Sequence, residues 1–407
     1  MPRLRVNVPL WLPPPSHSAR GQFPRLSRDV SVDVAIVGGG ITGAAVAWKF
    51  AEAGIRVAIV DAARIARGST AASTALLMQE PDEDFSRLAA RYGTERTRRI
   101  WQLSRNATSD FVRTLRKLEI QCDLVKRDSV YYAPTDEDAR QLETELRHRH
   151  AADIGGRWLN REGLRQAAGI DGAGAIRTTG DAQADPFAAC VGLLHAAAHR
   201  GARIFEDTPV TSINASRDGV TLRTHRAVIH ADRVVIATGY ATPYFKPLLR
   251  RFRMLNTYVL ATRRLSTAER RRIGLGAVML WDTGRPYHYA RWTPDHRLMI
   301  GGGDRPLLPE RKRAAALPAS ARGVHDHFVS LYPALASVPI EWQWEGLFAT
   351  TPDALPYIGP HRRYPRHLFA LGYGGNGMTF AFMAASLLLE QYRGSRSTDH
   401  DLFAFSR

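Results

Sequence analysis

Apolar residues fall into blocks along the chain, and the spacing inside the blocks changes with position. From Val32 to Val37 the run VDVAIV is β-branched and nearly continuous, the pattern of a strand buried on both faces, and the glycines at 38 to 40 end it. Ile41 to Ala53 carries good helix formers and stops at Gly54, and Arg56 to Val60 is a second apolar strand. The opening pattern is therefore strand, helix, strand. Between about Phe85 and His150 the apolar positions (Trp101, Phe111, Leu115, Leu118) fall at steps of ten, four and three residues in charged text, which predicts helices. The run VYYAP at Val130 to Pro134 predicts a strand.

Ala182 to Arg200 predicts another helix. Short strands are expected at Arg203 to Phe205, Val210 to Ile213, Val220 to Arg223 and Arg233 to Ala237. From Pro243 to Pro339 polar and apolar residues alternate between turns, which predicts a mostly antiparallel sheet. The end of the chain returns to strand (Leu368 to Gly372), glycine turn and helix (Met378 to Tyr392). Nucleotide-domain character thus occurs at both ends and in the middle. Residues 1–29, with prolines at 2, 9, 13, 14, 15 and 24 and no signal-peptide order, read as an extended leader.

Composition narrows the class. At 407 residues, 44% hydrophobic and 23% charged, the chain is long enough for two or three globular domains. No apolar run reaches 18 residues, so no membrane span is expected. Cys122 and Cys190 form neither a disulfide framework nor a metal-ligand pattern; a reducing, cytoplasmic setting and no metal are the expectation. The net charge is +17, and only five of the 56 basic residues are lysine. That field favours anionic partners, but no glycine-aromatic RNA motif accompanies it.

Gly38, Gly40 and Gly43 in GGGITG form G-x-G-x-x-G between the first strand and helix. Such glycines allow a tight turn, close approach of backbone to a pyrophosphate and close helix packing. Asp61 ends the second strand, where an acid accepts hydrogen bonds from ribose hydroxyls and disfavours a phosphorylated ribose. RVVIATG, ending at Ala237, Thr238 and Gly239, supplies another strand-to-small-residue turn. YGGNGMTFA at Tyr373 to Ala381 opens a helix whose free N–H groups can hold negative charge, such as that on a reduced flavin.

With GSTAASTALL (Gly68 to Leu77), GDAQADP (Gly180 to Pro186), WEGLFATTPDALPYIG (Trp344 to Gly359) and GYGGNGMT (Gly372 to Thr379), these blocks resemble the D-amino acid oxidase type of FAD-dependent oxidoreductases. That group includes glycine oxidase, sarcosine oxidase and gamma-glutamylputrescine oxidase. The resemblance runs from about Val32 to Tyr392. It implies an α/β (α+β) fold: a discontinuous Rossmann-like FAD domain (30–84, 155–241 and 342–395) and a substrate domain (85–154 and 242–341) with a large, mostly antiparallel sheet.

The resemblance also implies FAD contacts. Gly38, Gly40, Ile41 and Thr42 would lie at the pyrophosphate, Gly43 would let the helix pack closely, and Asp61 and Ala62 would lie at the ribose. Gly68, Ser69, Thr70, Ser73, Thr74, Ala75 and Leu76 would run beside the flavin, Val210 would meet the adenine, and Ala237, Thr238 and Gly239 would pack on the nucleotide. Gly375, Asn376, Gly377, Met378 and Thr379 would face the ring's carbonyl edge. No cysteine lies near the C-terminal motifs, so FAD is expected to be non-covalent.

One position departs from the family. Where glycine oxidase has an arginine for the substrate carboxylate, this chain has Phe348, which cannot form a bidentate clamp. Either another arginine, such as Arg291, takes that role, or the substrate is an amine without a carboxylate at its reacting end. Tyr287 and Tyr289, with Trp281, Tyr258 and Phe348, are candidates for a cation-π wall. His288 should point to the opposite face. No catalytic residue is singled out, and Asp82, Glu83 and Asp84 read as a solvated turn.

The expected activity is oxidation of a C–N bond of an amine or amino acid by hydride transfer to flavin. The imine is then hydrolysed, and electrons pass to oxygen or another acceptor. The alternative is a tRNA-modifying flavoenzyme acting on an aminomethyl uridine group. That reading draws on the arginines at 250, 251, 253, 263, 264 and 270 to 272.

Overall fold

The computed structural model describes residues 4–12 and 23–407. Its first sheet grows from the predicted strand–helix–strand unit. Val30–Val37 pairs in parallel with Val57–Val60 on one side and Val228–Gly239 on the other. The sheet continues to Arg203–Phe205 at one end and, through Tyr364–Leu371, to Tyr357–His361 at the other. Val34, Ala35 and Ile36 are fully buried, as a strand covered on both faces requires. The helices Ile41–Glu52, Pro186–His199 and Gly377–Tyr392 cover one face with alanine-rich, nearly polar-free surfaces.

The second sheet has ten strands. Its longest antiparallel ladder joins Arg253–Thr262 to Ile340–Thr350, and Leu298–Pro306, His288–Trp292 and Val278–Asp282 follow in order. Val278–Asp282 then runs parallel to Val125–Ala133, which pairs antiparallel with Gly174–Gln183. Both sheets are mixed.

Several boundaries differ from the expectation. Segments 155–241 and 342–395, expected wholly in the nucleotide domain, contribute the strands Arg157–Leu159, Gly174–Gln183 and most of Ile340–Thr350 to the ten-stranded sheet. The helix expected to begin at Ala182 begins at Pro186, because Asp185 caps it and Gly174–Gln183 extends as a strand before it. Glu310–Leu331, within the stretch expected to be sheet, is a helix. Pro318 and Gly323 within it mask its period, but Leu317, Ala321, Val324 and Phe328 form a buried stripe.

The leader is not merely extended. Arg5–Val6 adds a strand beside Ile340–Thr350, and the Trp11 indole donates to the Ser73 carbonyl at 2.8 Å. Pro2, Pro13, Pro14 and Pro15 lie outside the described residues. No helix among the described residues is long and apolar enough to cross a membrane.

Candidate active site

A cavity of about 720 Å³ runs between the two sheets, from the Gly38 turn to the start of helix Gly377–Tyr392. Backbone geometry fixes its first end. Gly38 has φ +114°, and a Cβ there would meet the Ala237 carbonyl oxygen at 2.5 Å, so the turn accepts only glycine. Gly40 caps helix Ile41–Glu52 without a side-chain hydrogen bond, leaving the helix terminus directed at the cavity; the Ile41 N–H is taken by Thr70 Oγ1 at 3.0 Å.

Asp61 accepts from the Gly39 N–H at 2.7 Å and the Ala63 N–H at 2.8 Å. Burial raises its pKa, and those two hydrogen bonds oppose the rise. An uncapped helix terminus, a Cβ-free turn and an acid at the second strand fit the pyrophosphate and ribose of a dinucleotide.

Most residues proposed for FAD line this cavity: Gly38, Gly40, Ile41 and Thr42; Asp61 and Ala62; Gly68, Ser69, Thr70, Ser73, Thr74 and Leu76; Val210; Ala237, Thr238 and Gly239; and Gly375, Asn376, Gly377 and Met378. Gly43, Ala75 and Thr379 do not. Gly43 lets the helix pass the Gly38 carbonyl, which a Cβ would strike at 1.9 Å. Thr379 donates to the Met78 carbonyl at 2.8 Å, and Asn376 Nδ2 donates to the carbonyls of Met78 (3.1 Å) and Glu80 (2.8 Å). These side chains fasten segment 76–82 to the glycine turn. The Gly375 N–H is likewise occupied, by the Asp82 carboxylate.

At the second end Trp281, Tyr287, Tyr289 and Phe348 line the cavity. Trp281 stacks on Tyr131 at 3.7 Å between centroids, and Tyr287 and Tyr289 lie 6.0 Å apart. Two expectations fail here. Tyr258 lies in the core beneath helix Glu310–Leu331, because its neighbour Thr257 takes the cavity face of the strand. Arg291 does not line the cavity: its guanidinium is buried, donating to the carbonyls of Thr74 at 2.6 Å and Ala184 at 2.9 Å. Burial lowers its pKa.

The acidic turn also differs from its reading. Asp82 lines the cavity instead of facing bulk water, and burial pushes its carboxyl up to about 7 against the Gly375 hydrogen bond. Nearby Glu80 is committed to Arg149 at 2.5 Å and Thr178 at 2.9 Å.

His288 points away from the cavity, as the alternation predicted, into a cluster that the sequence reading missed. Its Nδ1 meets Asp282 Oδ2 at 3.1 Å, and His327 Nε2 lies 3.4 Å from the same oxygen. Candidate ligand atoms of the three residues lie within 4.8 Å of one another. The two imidazoles, however, stack at 3.8 Å and 15°, so their in-plane lone pairs run side by side without converging. Burial alone would raise the Asp282 pKa, but hydrogen bonds from both histidines hold it at about 2.

The arginines that suggested RNA are partly engaged within the chain. Arg263 pairs with Glu269 at 2.5 Å, Arg264 with Asp295 at 3.0 Å, and Arg251 donates to the Phe405 carbonyl at 2.7 Å.

Comparison with known proteins decides the family. The model of the DAO family, FAD dependent oxidoreductase, matches residues 33–391. The chain belongs to the DAO family of FAD-dependent oxidoreductases.

Its relatives in the DAO family include gamma-glutamylputrescine oxidoreductase of Escherichia coli, 26% identical over 378 residues, covering 91% of this chain and 86% of that one. Glycine oxidase of Geobacillus kaustophilus is 27% identical over 390 residues, covering 92% and 96%. The crystal structure of that glycine oxidase superposes with a TM-score of 0.76 at 22% identity, covering 94% of this chain and 99% of the other. FAD is the cofactor of the family, and the protein is an oxidoreductase. No cysteine lines the cavity among the described residues.

Proposed function

We propose that the protein oxidises the C–N bond of an amine, with non-covalent FAD as the acceptor and the ten-stranded sheet forming the substrate side. Bound FAD supplies the two-electron acceptor, and the protein supplies position and electrostatics. The observation that carries this reading is the aromatic end of the cavity, where Tyr287, Tyr289, Trp281 and Phe348 meet the glycine turn at Gly375.

The aromatic walls exclude water and hold an amine by its carbon skeleton and its charge. The Phe348 side chain cannot pair with a carboxylate, and Arg291 is spent on two backbone carbonyls. Both favour amines without a carboxylate at the reacting carbon. Relatives named as gamma-glutamylputrescine oxidoreductase and glycine oxidase support C–N oxidation as the reaction class. Carbonyl trapping of the product with a hydrazine after aerobic turnover tests the proposal. An aldehyde or ketone matching the amine's carbon skeleton supports it; consumption of the amine without any carbonyl product refutes it.

A further inference from the structure

The cavity holds a carboxylate that the reaction class does not require. Asp82 stands where segment 76–82 meets the turn before helix Gly377–Tyr392, and its hydrogen bonds come from the backbone N–H groups of Gly375 and Asn376. The other cavity acids are committed otherwise, Asp61 to the first glycine turn and Glu80 to Arg149, Thr178 and Ser129.

Tyr287 stands beside Asp82. A Cβ placed on Gly375 would lie 2.2 Å from Tyr287 Oη and 3.2 Å from Asp82 Oδ1, so both oxygens converge beside the same Cα. Behind them, Tyr289 Oη lies 3.5 Å from Thr257 Oγ1. Asp304 sits on the neighbouring strand, with one carboxylate oxygen buried and lacking a hydrogen-bond partner among the described residues. A carboxylate beside phenol rings, in a chamber where the arginine expected to meet a substrate carboxylate is missing, is the donor set for a cation.

We infer that Asp82 is the anchor for a cationic nitrogen of the substrate, so that the cavity selects ammonium-bearing compounds and discriminates against carboxylates beside that nitrogen. The inference rests on the reading of this cavity as the substrate chamber. A carboxylate in a partly enclosed aromatic site pairs with an ammonium more strongly than it would in water, and it repels a substrate carboxylate by the same field. The groups that face Asp82 set when it is charged. Asp304 opposes its ionisation, and Arg285 together with the Gly375 and Asn376 N–H groups favours it. Tyr287 and Tyr289 are neutral, since burial raises both phenols. With its carboxyl pushed up to about 7, Asp82 is a charged anchor only above that pH, and cation affinity should rise as pH passes through it.

The test uses FAD-loaded protein and two probes that cannot be oxidised, tetramethylammonium and acetate, each titrated against the visible flavin spectrum. Wild-type protein should bind tetramethylammonium, with affinity rising through about pH 7, and should bind acetate more weakly. Asp82→Asn should weaken tetramethylammonium binding about 10-fold or more and abolish the pH dependence. The asparagine amide oxygen can still accept from the Gly375 N–H, so retained FAD and an unchanged melting temperature are expected for the variant. If it fails to fold, the wild-type pH dependence alone decides.

Equal tetramethylammonium affinity in the two proteins, a pH-independent wild type, or tighter acetate than tetramethylammonium binding overturns the inference. Amines that reduce the flavin with no dependence on Asp82 would leave the oxidation reading standing and remove this one. Tetramethylammonium binding that needs Asp82, without flavin reduction by any amine, would do the reverse.

Discussion

The guanidinium of Arg291 is fixed to the carbonyl of Thr74, 2.6 Å away and 217 positions earlier in the chain. It also holds Ala184 at 2.9 Å and packs over the Trp11 ring at 5.1 Å. One side chain therefore ties segment 69–77, the residue before the cap of helix Pro186–His199 and the N-terminal residues to the ten-stranded sheet. Arg291→Met would leave two carbonyls without this donor. The expected loss is about 2–4 kcal/mol, read as a lower denaturation midpoint. The ratio of activity on amino acids to activity on matching amines should not change; a change in that ratio would restore Arg291 as a substrate group.

Phe348 lines the cavity. Phe348→Arg should raise the preference for amino acids over matching amines by about 10- to 100-fold, the effect of one charge-assisted hydrogen bond. An unchanged ratio of kcat/KM values would mean that no carboxylate reaches this position.

Gly38→Ala tests the nucleotide end. Its Cβ would overlap the Ala237 carbonyl at 2.5 Å, in a backbone conformation that L side chains rarely adopt. Purified variant should contain far less flavin than the wild type, measured as visible relative to ultraviolet absorbance. Full occupancy would place the cofactor elsewhere.

Much of this architecture was legible in the sequence because it depends on local rules. The strand–helix–strand unit at 30–60 and the glycine turn before helix Gly377–Tyr392 follow from burial on both faces and from glycine geometry. What the sequence concealed depends on pairing across long distances. Arg291 shares the strand parity of the cavity residues Tyr287 and Tyr289, and only the tertiary carbonyls of Thr74 and Ala184 show why it is occupied. Asp82 sits in an acidic triplet that resembles a surface turn, and its approach to Gly375, 293 positions away, cannot be read from the triplet. Asp282, His288 and His327 are likewise joined by the fold, across strand and helix.

That cluster carries a stability prediction. Asp282 Oδ1 accepts from the backbone of Gly284 and His288, both at 3.0 Å, while Oδ2 receives the imidazoles. It thereby closes the turn between Trp281 and Tyr287. Asp282→Asn should cost about 2–3 kcal/mol in chemical denaturation and raise KM more than it lowers kcat, because the aromatic wall loses its support. A variant as stable as the wild type would contradict this role.

Acid sensitivity should come partly from Asp353. Burial would raise its pKa, but Arg407, held at 2.8 and 3.0 Å, together with Tyr92 and Thr351, keeps it well below the usual carboxylate range. The folded value is depressed, so the contribution is present above the unfolded carboxyl value of about 4 and is lost as pH falls below it. Arg407→Ala should reduce the drop in melting temperature between about pH 5 and pH 3. An unaltered pH profile would assign acid unfolding to other carboxyls.

The central claim, that this DAO-family protein takes electrons from amines, is tested most directly by the flavin absorbance of FAD-loaded protein under anaerobic conditions. Addition of a panel of primary and secondary amines should bleach the visible flavin band, about one equivalent sufficing per flavin for the best donor. A flavin that dithionite bleaches but that no amine or amino acid reduces would contradict it.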